Sequence, residues 1–191
     1  MIEPLGFILV FLDMLLNIKK YSLLIIATLL LLTVSSLFAR GVYQTNEDFI
    51  SEVFSKKPPE KSSIMLGGDV RKRVSSLLGH PYGGLIIKYW EKDGRTAWIL
   101  KEIGKTEPIT FGIVINENKI EKIKVLEFRE SRGWEVKYPA FTKQFNGVGL
   151  EGNKLNKKID GVSGATLSYW AMTGVSRVAL FLHQHLNSKS K

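Results

Sequence analysis

Four stretches in the middle of the chain have the apolar patterns of β-strands. The pattern predicts strands over residues 85–90, 96–103, 109–115 and 119–128. In the third stretch Ile109, Phe111, Ile113 and Ile115 alternate with other residues, which is typical of a strand with one face against a core. Only short links separate the four, and short links imply antiparallel pairing.

Helical patterns flank these strands. Gly67-Gly68-Asp69 is predicted to open one helix with Asp69 as its cap, and Gly79 to end it. A short helix is predicted over residues 139–145, and apolar residues at helical spacing predict a final helix from Leu167 to Leu186. An antiparallel sheet of about four or five strands with flanking helices is an α+β fold.

An uncharged apolar segment precedes this domain. Residues 21–39 are long enough to cross a bilayer, which takes ~20 apolar residues. Lys19 and Lys20 precede the segment, so an uncleaved anchor would keep the amino terminus in the cytoplasm and export the rest. The segment also fits a signal peptide that starts at Met14 and is cut after Ala39. Either alternative places the following domain on the periplasmic or another extracytoplasmic side of the cell membrane.

Composition divides the chain into four predicted parts. Residues 1–40 form the membrane anchor or signal segment. Residues 41–66 are polar, with Lys-Lys-Pro-Pro in their middle, and are predicted to be a tether. Residues 67–187 form the exported domain, and residues 188–191 form a basic tail.

Net charge and cysteine content limit the kinds of binding partner and of redox cofactor that this chain can have. The formal net charge is +9, and residues 1–39 contain two lysines and two acidic residues, so the whole excess lies after them. A basic surface suits anionic lipid headgroups or an acidic protein partner. Lysines and arginines do not interleave with aromatics in a stripe, so nucleic acid is not an expected partner. The chain has no cysteine, so redox chemistry would need an organic cofactor.

The stretch DGVSGATLS, residues 160–168, stands directly before the final helix. Ser163 or Thr166 can cap that helix, and Gly161 and Gly164 can supply unusual backbone angles in the turn. A nucleophilic serine elbow is excluded, because residues 161–191 contain no acid to complete a triad. A glycine-containing turn that runs into a helix also offers free N–H groups to an anion such as phosphate.

DGVSGATLS resembles the flavinylation motif D-G-x-S/T-G-A-T-x-S/T of the FMN-binding domain family. That family includes the C subunit of the sodium-translocating NADH:quinone oxidoreductase and the G subunit of the Rnf complex. In the family a flavin transferase, with FAD as donor, joins the motif threonine to FMN through a phosphoester. The resemblance implies that Thr166 carries covalent FMN. It implies that the other cofactor-binding residues of the motif are Asp160, Gly161, Ser163, Gly164, Ala165, Leu167 and Ser168.

A weaker resemblance lies upstream, at residues 128–135. Subunits of the two complexes carry H-x-E-T-P-G-L-G, of which this chain keeps Glu130 and Gly133 and replaces the histidine, the proline and the second glycine. The departure argues against membership of either complex. The resemblance implies that Glu130 belongs to the flavin site, and Trp134 is a candidate to cover the flavin ring. Other candidates for that cover are Tyr138, Phe141, Tyr169 and Trp170.

These observations predict a membrane-associated, exported flavoprotein that relays electrons between a membrane redox donor and an acceptor. Such a chain is an electron-transfer protein or a subunit of a membrane oxidoreductase rather than a stand-alone enzyme. The alternative is a non-redox exported module that binds a ligand or protein, with Thr166 as a simple helix cap.

Overall fold

The computed structural model describes residues 21–22 and 41–189. Contacts divide the chain into two units, Met1–Ala39 and Arg40–Lys191. Of the first unit only Tyr21 and Ser22 are described, and both are helical. In the described part of the chain, no helix has the length and apolarity needed to span a bilayer. The predicted anchor or signal segment lies outside the described residues, apart from Tyr21 and Ser22.

Six strands form one antiparallel sheet in the order β1-β6-β5-β4-β3-β2. The strands are β1 (Gly41–Val42), β2 (Lys61–Met65), β3 (Ile86–Lys92), β4 (Arg95–Ile103), β5 (Pro108–Asn116) and β6 (Lys119–Phe128). The predicted α+β class is therefore confirmed, and the four predicted strands are β3 to β6. The sheet has six strands rather than the four or five predicted. Two of the hairpins turn at residue pairs with positive φ, Asp93-Gly94 and Glu117-Asn118, as a tight two-residue hairpin turn requires.

Four α-helices accompany the sheet in residues 41–189. They are α1 (Asn46–Val53), α2 (Gly68–Leu78), α3 (Pro139–Thr142) and α4 (Thr166–Lys189). Short 3-10 segments over Trp134–Lys137 and Lys143–Phe145 flank α3, and a small hairpin pairs β7 (Leu150–Glu151) with β8 (Lys154–Leu155). The predicted cap of α2 is wrong. Gly67 is the N-cap, whereas Asp69 lies in the first turn and pairs with Lys72 at 3.4 Å.

The sheet is covered on both faces. Neighbouring residues of a strand point to opposite faces, so Ala97 and Trp98 on β4 belong to two different cores. Trp98 lies in the larger core, to which α2 and α4 contribute. Ala97 lies in a smaller core under α1, whose buried residues include Phe49 and Val53.

Residues 41–66 are part of this fold, and the prediction of a tether there is wrong. β1 pairs with β6, and β2 pairs with β3, so this segment provides both outer strands of the sheet. Three of its apolar residues, Phe49, Ile50 and Val53, are buried on one face of α1. Thr45 caps α1 by accepting the Asp48 N–H at 3.0 Å. The polar majority of the segment faces solvent and hid this pattern.

We predict that Phe49→Ala lowers the free energy of unfolding by about 3–5 kcal/mol, because the ring is fully buried against the sheet. Gly112 permits this contact, since a Cβ there would lie 2.7 Å from the ring. Denaturant unfolding measures the loss. Leu85→Ala is the control, because Leu85 is 66% exposed and its loss costs within about 0.5 kcal/mol. Equal changes in the free energy of unfolding for the two substitutions would support the prediction that residues 41–66 are a tether.

Candidate functional site

The start of α4 is built by a tight turn. The Ala165 carbonyl accepts the Tyr169 N–H at 2.8 Å, which makes Ala165 the N-cap and Thr166 the first helical residue. The Ala165 N–H donates to the Val162 carbonyl at 3.0 Å and closes a four-residue turn. Gly164 occupies the third position with φ +80°, the left-handed region that a type II turn gives to glycine.

Thr166 stands exposed at the N-terminal end of this helix. Its hydroxyl makes no hydrogen bond to any described residue. The N–H groups of Thr166, Leu167 and Ser168 have no acceptor within the helix, and the helix dipole adds positive potential at this end. An anionic phosphate ester on Thr166 therefore fits this position. The capping explanation does not, because Ala165 occupies the cap position and has no polar side chain.

Hydrogen bonds to the backbone fix the approach to the turn. The Asp160 N–H donates to Gln144 Oε1 at 2.8 Å, and Gln144 Nε2 donates to the Asp160 carbonyl at 3.3 Å. The Tyr169 hydroxyl donates to the Ile159 carbonyl at 3.2 Å. Asp160, Gly161 and Ser163 are themselves exposed, so the surroundings of Thr166 are open to solvent.

The second segment that resembles the family does reach the motif, through Gly133. Ser168 and Ala165 are buried, and a Cβ on Gly133 would lie 2.5 Å from Ser168 Oγ and 3.5 Å from Ala165 Cα. Gly133 also has φ +87°, which other residues adopt only with strain. The start of α4 thus packs directly against the Gly133 backbone.

Glu130 is buried but its carboxylate is engaged by a turn. It accepts the backbone N–H groups of Lys105, Thr106 (2.6 Å) and Glu107 (2.9 Å), together with the Thr106 hydroxyl at 3.2 Å. Burial alone would raise the pKa of Glu130, but these hydrogen bonds outweigh it and lower the pKa below its ordinary value. Glu130 therefore holds the turn between β4 and β5.

Trp134 is half-buried beside two neighbours. Its ring meets Tyr138 edge-on with centroids 5.6 Å apart, and the Lys137 ammonium lies 5.3 Å from its centroid. It lines neither of the clefts described next, so its role as a cover for the flavin ring stays a prediction.

Two clefts flank the first turns of α4. The basic cleft, of about 420 Å³, is lined by Leu78, Lys154, Leu155, Lys157, Lys158, Ile159, Tyr169, Trp170, Thr173 and Arg177. The smaller cleft, of about 200 Å³, is lined by Leu78, His80, Glu102, Ile103, Gly104, Leu167, Trp170, Ala171 and Gly174. Trp170 is 60% exposed and stands between them.

The two clefts differ in charge. Four cationic side chains and no acidic one line the basic cleft. In the smaller cleft His80 Nε2 lies 3.2 Å from Glu102 Oε1. Sequence reasoning missed both clefts and the contact of Gln144 with Asp160. A signal existed for one of them, because Arg177 follows Thr166 at helical spacing and Lys157-Lys158 precede the motif.

The glycines at positions 147, 149 and 152 have the spacing G-x-G-x-x-G of a dinucleotide-binding loop. That loop requires a preceding strand and a following helix. Here Gly147 lies in a turn, Gly149 directly precedes β7 and Gly152 lies in the β7–β8 hairpin, and no helix follows directly. The spacing therefore gives no argument for NAD binding.

We predict that Glu130→Gln lowers the free energy of unfolding by about 1–3 kcal/mol at about pH 7, because a charged acceptor of three N–H groups is lost. The pKa of Glu130 is lowered by folding, so its contribution is complete above the unfolded pKa of about 4.3 and disappears as pH falls through the folded value. Denaturant unfolding of both proteins checks this. A difference that stays constant down to about pH 2 would contradict it.

We predict that Gly133→Ala is more destabilising than Gly147→Ala. Both positions have positive φ, and a side chain there costs about 1–2 kcal/mol. Only Gly133 also faces a close neighbour, since Gly147 has open space at its Cβ position. Adding Ser168→Ala to Gly133→Ala should recover part of the extra loss in denaturant unfolding. Equal losses in the free energy of unfolding for the two glycine substitutions would show that α4 does not pack closely against Gly133.

Comparison with known proteins agrees with the geometry of this site. Residues 104–180 match the sequence model of the FMN-binding domain family, a span that holds Glu130, Gly133 and the whole DGVSGATLS motif. Searches of curated proteins and of solved structures found no significant match. Residues 104–180 are therefore similar to an FMN-binding domain, and this similarity supports a flavin-binding protein with FMN as its cofactor.

Proposed function

We propose that this chain is a membrane-associated, exported flavoprotein that carries electrons on FMN joined covalently to Thr166. The observation that carries the proposal is the Thr166 hydroxyl, which is exposed, makes no hydrogen bond to a described residue and stands at a helix start with free N–H groups. A phosphodiester there keeps one negative charge, which the helix dipole stabilises.

Attachment requires a second protein. Thr166 Oγ forms a bond to the phosphorus of the FMN half of FAD, the bond from that phosphorus to the AMP half breaks, and AMP leaves. The hydroxyl proton must go to a base, because a neutral threonine hydroxyl is a poor nucleophile. No described side chain is hydrogen-bonded to Thr166 to take this proton. The base therefore belongs to a flavin transferase, which also binds FAD.

FMN would supply reversible electron acceptance, and the chain supplies its position. Thr166 fixes the phosphate end, the turn at Gly164 presents it to solvent, and Trp170 offers an exposed aromatic surface one helical turn further on. Open surroundings suit exchange of electrons with other proteins. The chain is proposed to relay between a membrane redox donor and an acceptor, as an electron-transfer protein or as a subunit of a membrane oxidoreductase.

The proposed location is the extracytoplasmic side of the cell membrane. It is supported by the uncharged residues 21–39, which are long enough to span a bilayer and follow two lysines. Anchored or released by cleavage after Ala39, the FMN-binding domain would face the periplasm or its equivalent.

We predict that Thr166→Ala abolishes covalent FMN while the fold is retained. The full chain is co-produced with a flavin transferase, and intact mass and flavin fluorescence in a denaturing gel report attachment. Because Thr166 makes no hydrogen bond to a described residue, the free energy of unfolding without FMN should change by less than about 0.5 kcal/mol.

Ser62→Ala is the matched control for this substitution. Ser62 is an exposed hydroxyl on β2, outside the motif, so this variant should gain FMN as the unsubstituted chain does. Covalent FMN on the Thr166→Ala protein, or none on the unsubstituted chain, would contradict the proposal.

A further inference from the structure

The position of Thr166 on α4 relates it to one of the two clefts. An α-helix has 3.6 residues per turn, so Thr166, Trp170, Thr173 and Arg177 lie in one row along its surface. Trp170, Thr173 and Arg177 line the basic cleft. Thr166 therefore stands at the head of the row that forms one wall of that cleft.

A different row of residues on α4 lines the smaller cleft. Leu167, Ala171 and Gly174 share a row and line it, and that row is rotated by about 100° from the row of Thr166. Its volume is also about half that of the basic cleft, 200 against 420 Å³. Both direction and size favour the basic cleft for a group tethered to Thr166.

The walls of the basic cleft suit a planar heteroaromatic ring. Tyr169 and Trp170 contribute aromatic surface, and Leu155 and Ile159 contribute apolar surface from the facing segment. Tyr169 is fixed by its hydrogen bond to the Ile159 carbonyl, which joins the two walls. Aromatic and aliphatic groups of this kind can pack on both faces of a ring.

The charged groups of the cleft come from three of the segments around it. Lys154 belongs to β8, Lys157 and Lys158 to the loop that follows, and Arg177 to α4. Arg177 is half-buried and its Nε donates to the Leu77 carbonyl at 3.1 Å. Its two terminal nitrogens have no acceptor among the described residues. A partly desolvated guanidinium with unused donors suits an anionic ligand.

We propose that the basic cleft holds the flavin ring of the FMN carried by Thr166, and that Arg177, Lys157 and Lys158 stabilise the negative charge that the ring gains on reduction. This inference rests on the proposed function. Uptake of two electrons and one proton from a reductant adds one negative charge to the ring. Nearby cations favour that state, and so they raise the midpoint potential of the bound flavin.

The test compares two matched pairs of exposed lysines in the full chain loaded with FMN. Lys157→Gln/Lys158→Gln removes two charges from the cleft, and Lys56→Gln/Lys57→Gln removes two from the loop after α1. The midpoint potential is measured by titration with dithionite at low and high salt. We expect a lower potential for the cleft variant at low salt, a smaller difference at high salt, and no change for the control.

Arg177 is tested by a pair of its own. Arg177→Gln removes the charge and should lower the potential, whereas Arg177→Lys keeps it and should restore most of the potential. Both variants lose the guanidinium bond to the Leu77 carbonyl, so a merely structural effect would appear equally in the two. Denaturant unfolding of both records that effect separately.

The outcomes separate this inference from the proposed function. Failure of the unsubstituted chain to gain FMN would remove the proposed function and this inference with it. Normal FMN loading with equal potentials for both lysine pairs would overturn the inference alone. A potential that responds to His80→Gln but not to the cleft lysines would also overturn it, because the ring would then lie in the smaller cleft.

Discussion

Burial of α4 against the sheet is the constraint on which the rest of this structure depends. From Ala171 onward most of the helix is buried, and Met172, Leu180 and Leu182 are fully enclosed by the larger core. This packing fixes where the helix starts and in which direction its first turn points. In that first turn Ser168 is buried whereas Thr166 faces solvent, so Thr166 is exposed on a rigid element rather than on a loop. A rigid, exposed attachment point is what a tethered redox group requires.

The position of the first turn of α4 depends on two backbone features. Gly133 lets the chain approach Ser168 and Ala165 closely, and Gly164 closes the turn that delivers Thr166. Glu130 contributes indirectly. Its carboxylate holds the turn between β4 and β5, and Gly104 of that turn lines the smaller cleft. The residues of the two family motifs thus shape the site through backbone geometry. The chemistry of the ring would be adjusted by the cationic side chains of the basic cleft.

The central strands and the start of α4 are predictable because their patterns are local. In β5 every residue from Ile109 to Ile115 is buried, and the flanking turns are polar. The outer strands have no such pattern, since β1 has two residues and only Ile64 of β2 is buried. The role of Glu130 could not be predicted for a different reason. Its N–H partners lie 23 to 25 positions away, and nothing in the local sequence connects them to its carboxylate.

The most direct test of covalent FMN on Thr166 is peptide mass mapping of the chain isolated from the cells that produce it. We predict that the peptide containing Thr166 carries the added mass of FMN in phosphoester linkage, and that no other peptide does. A folded chain with unmodified Thr166, or with FMN attached to another residue, would contradict the central claim.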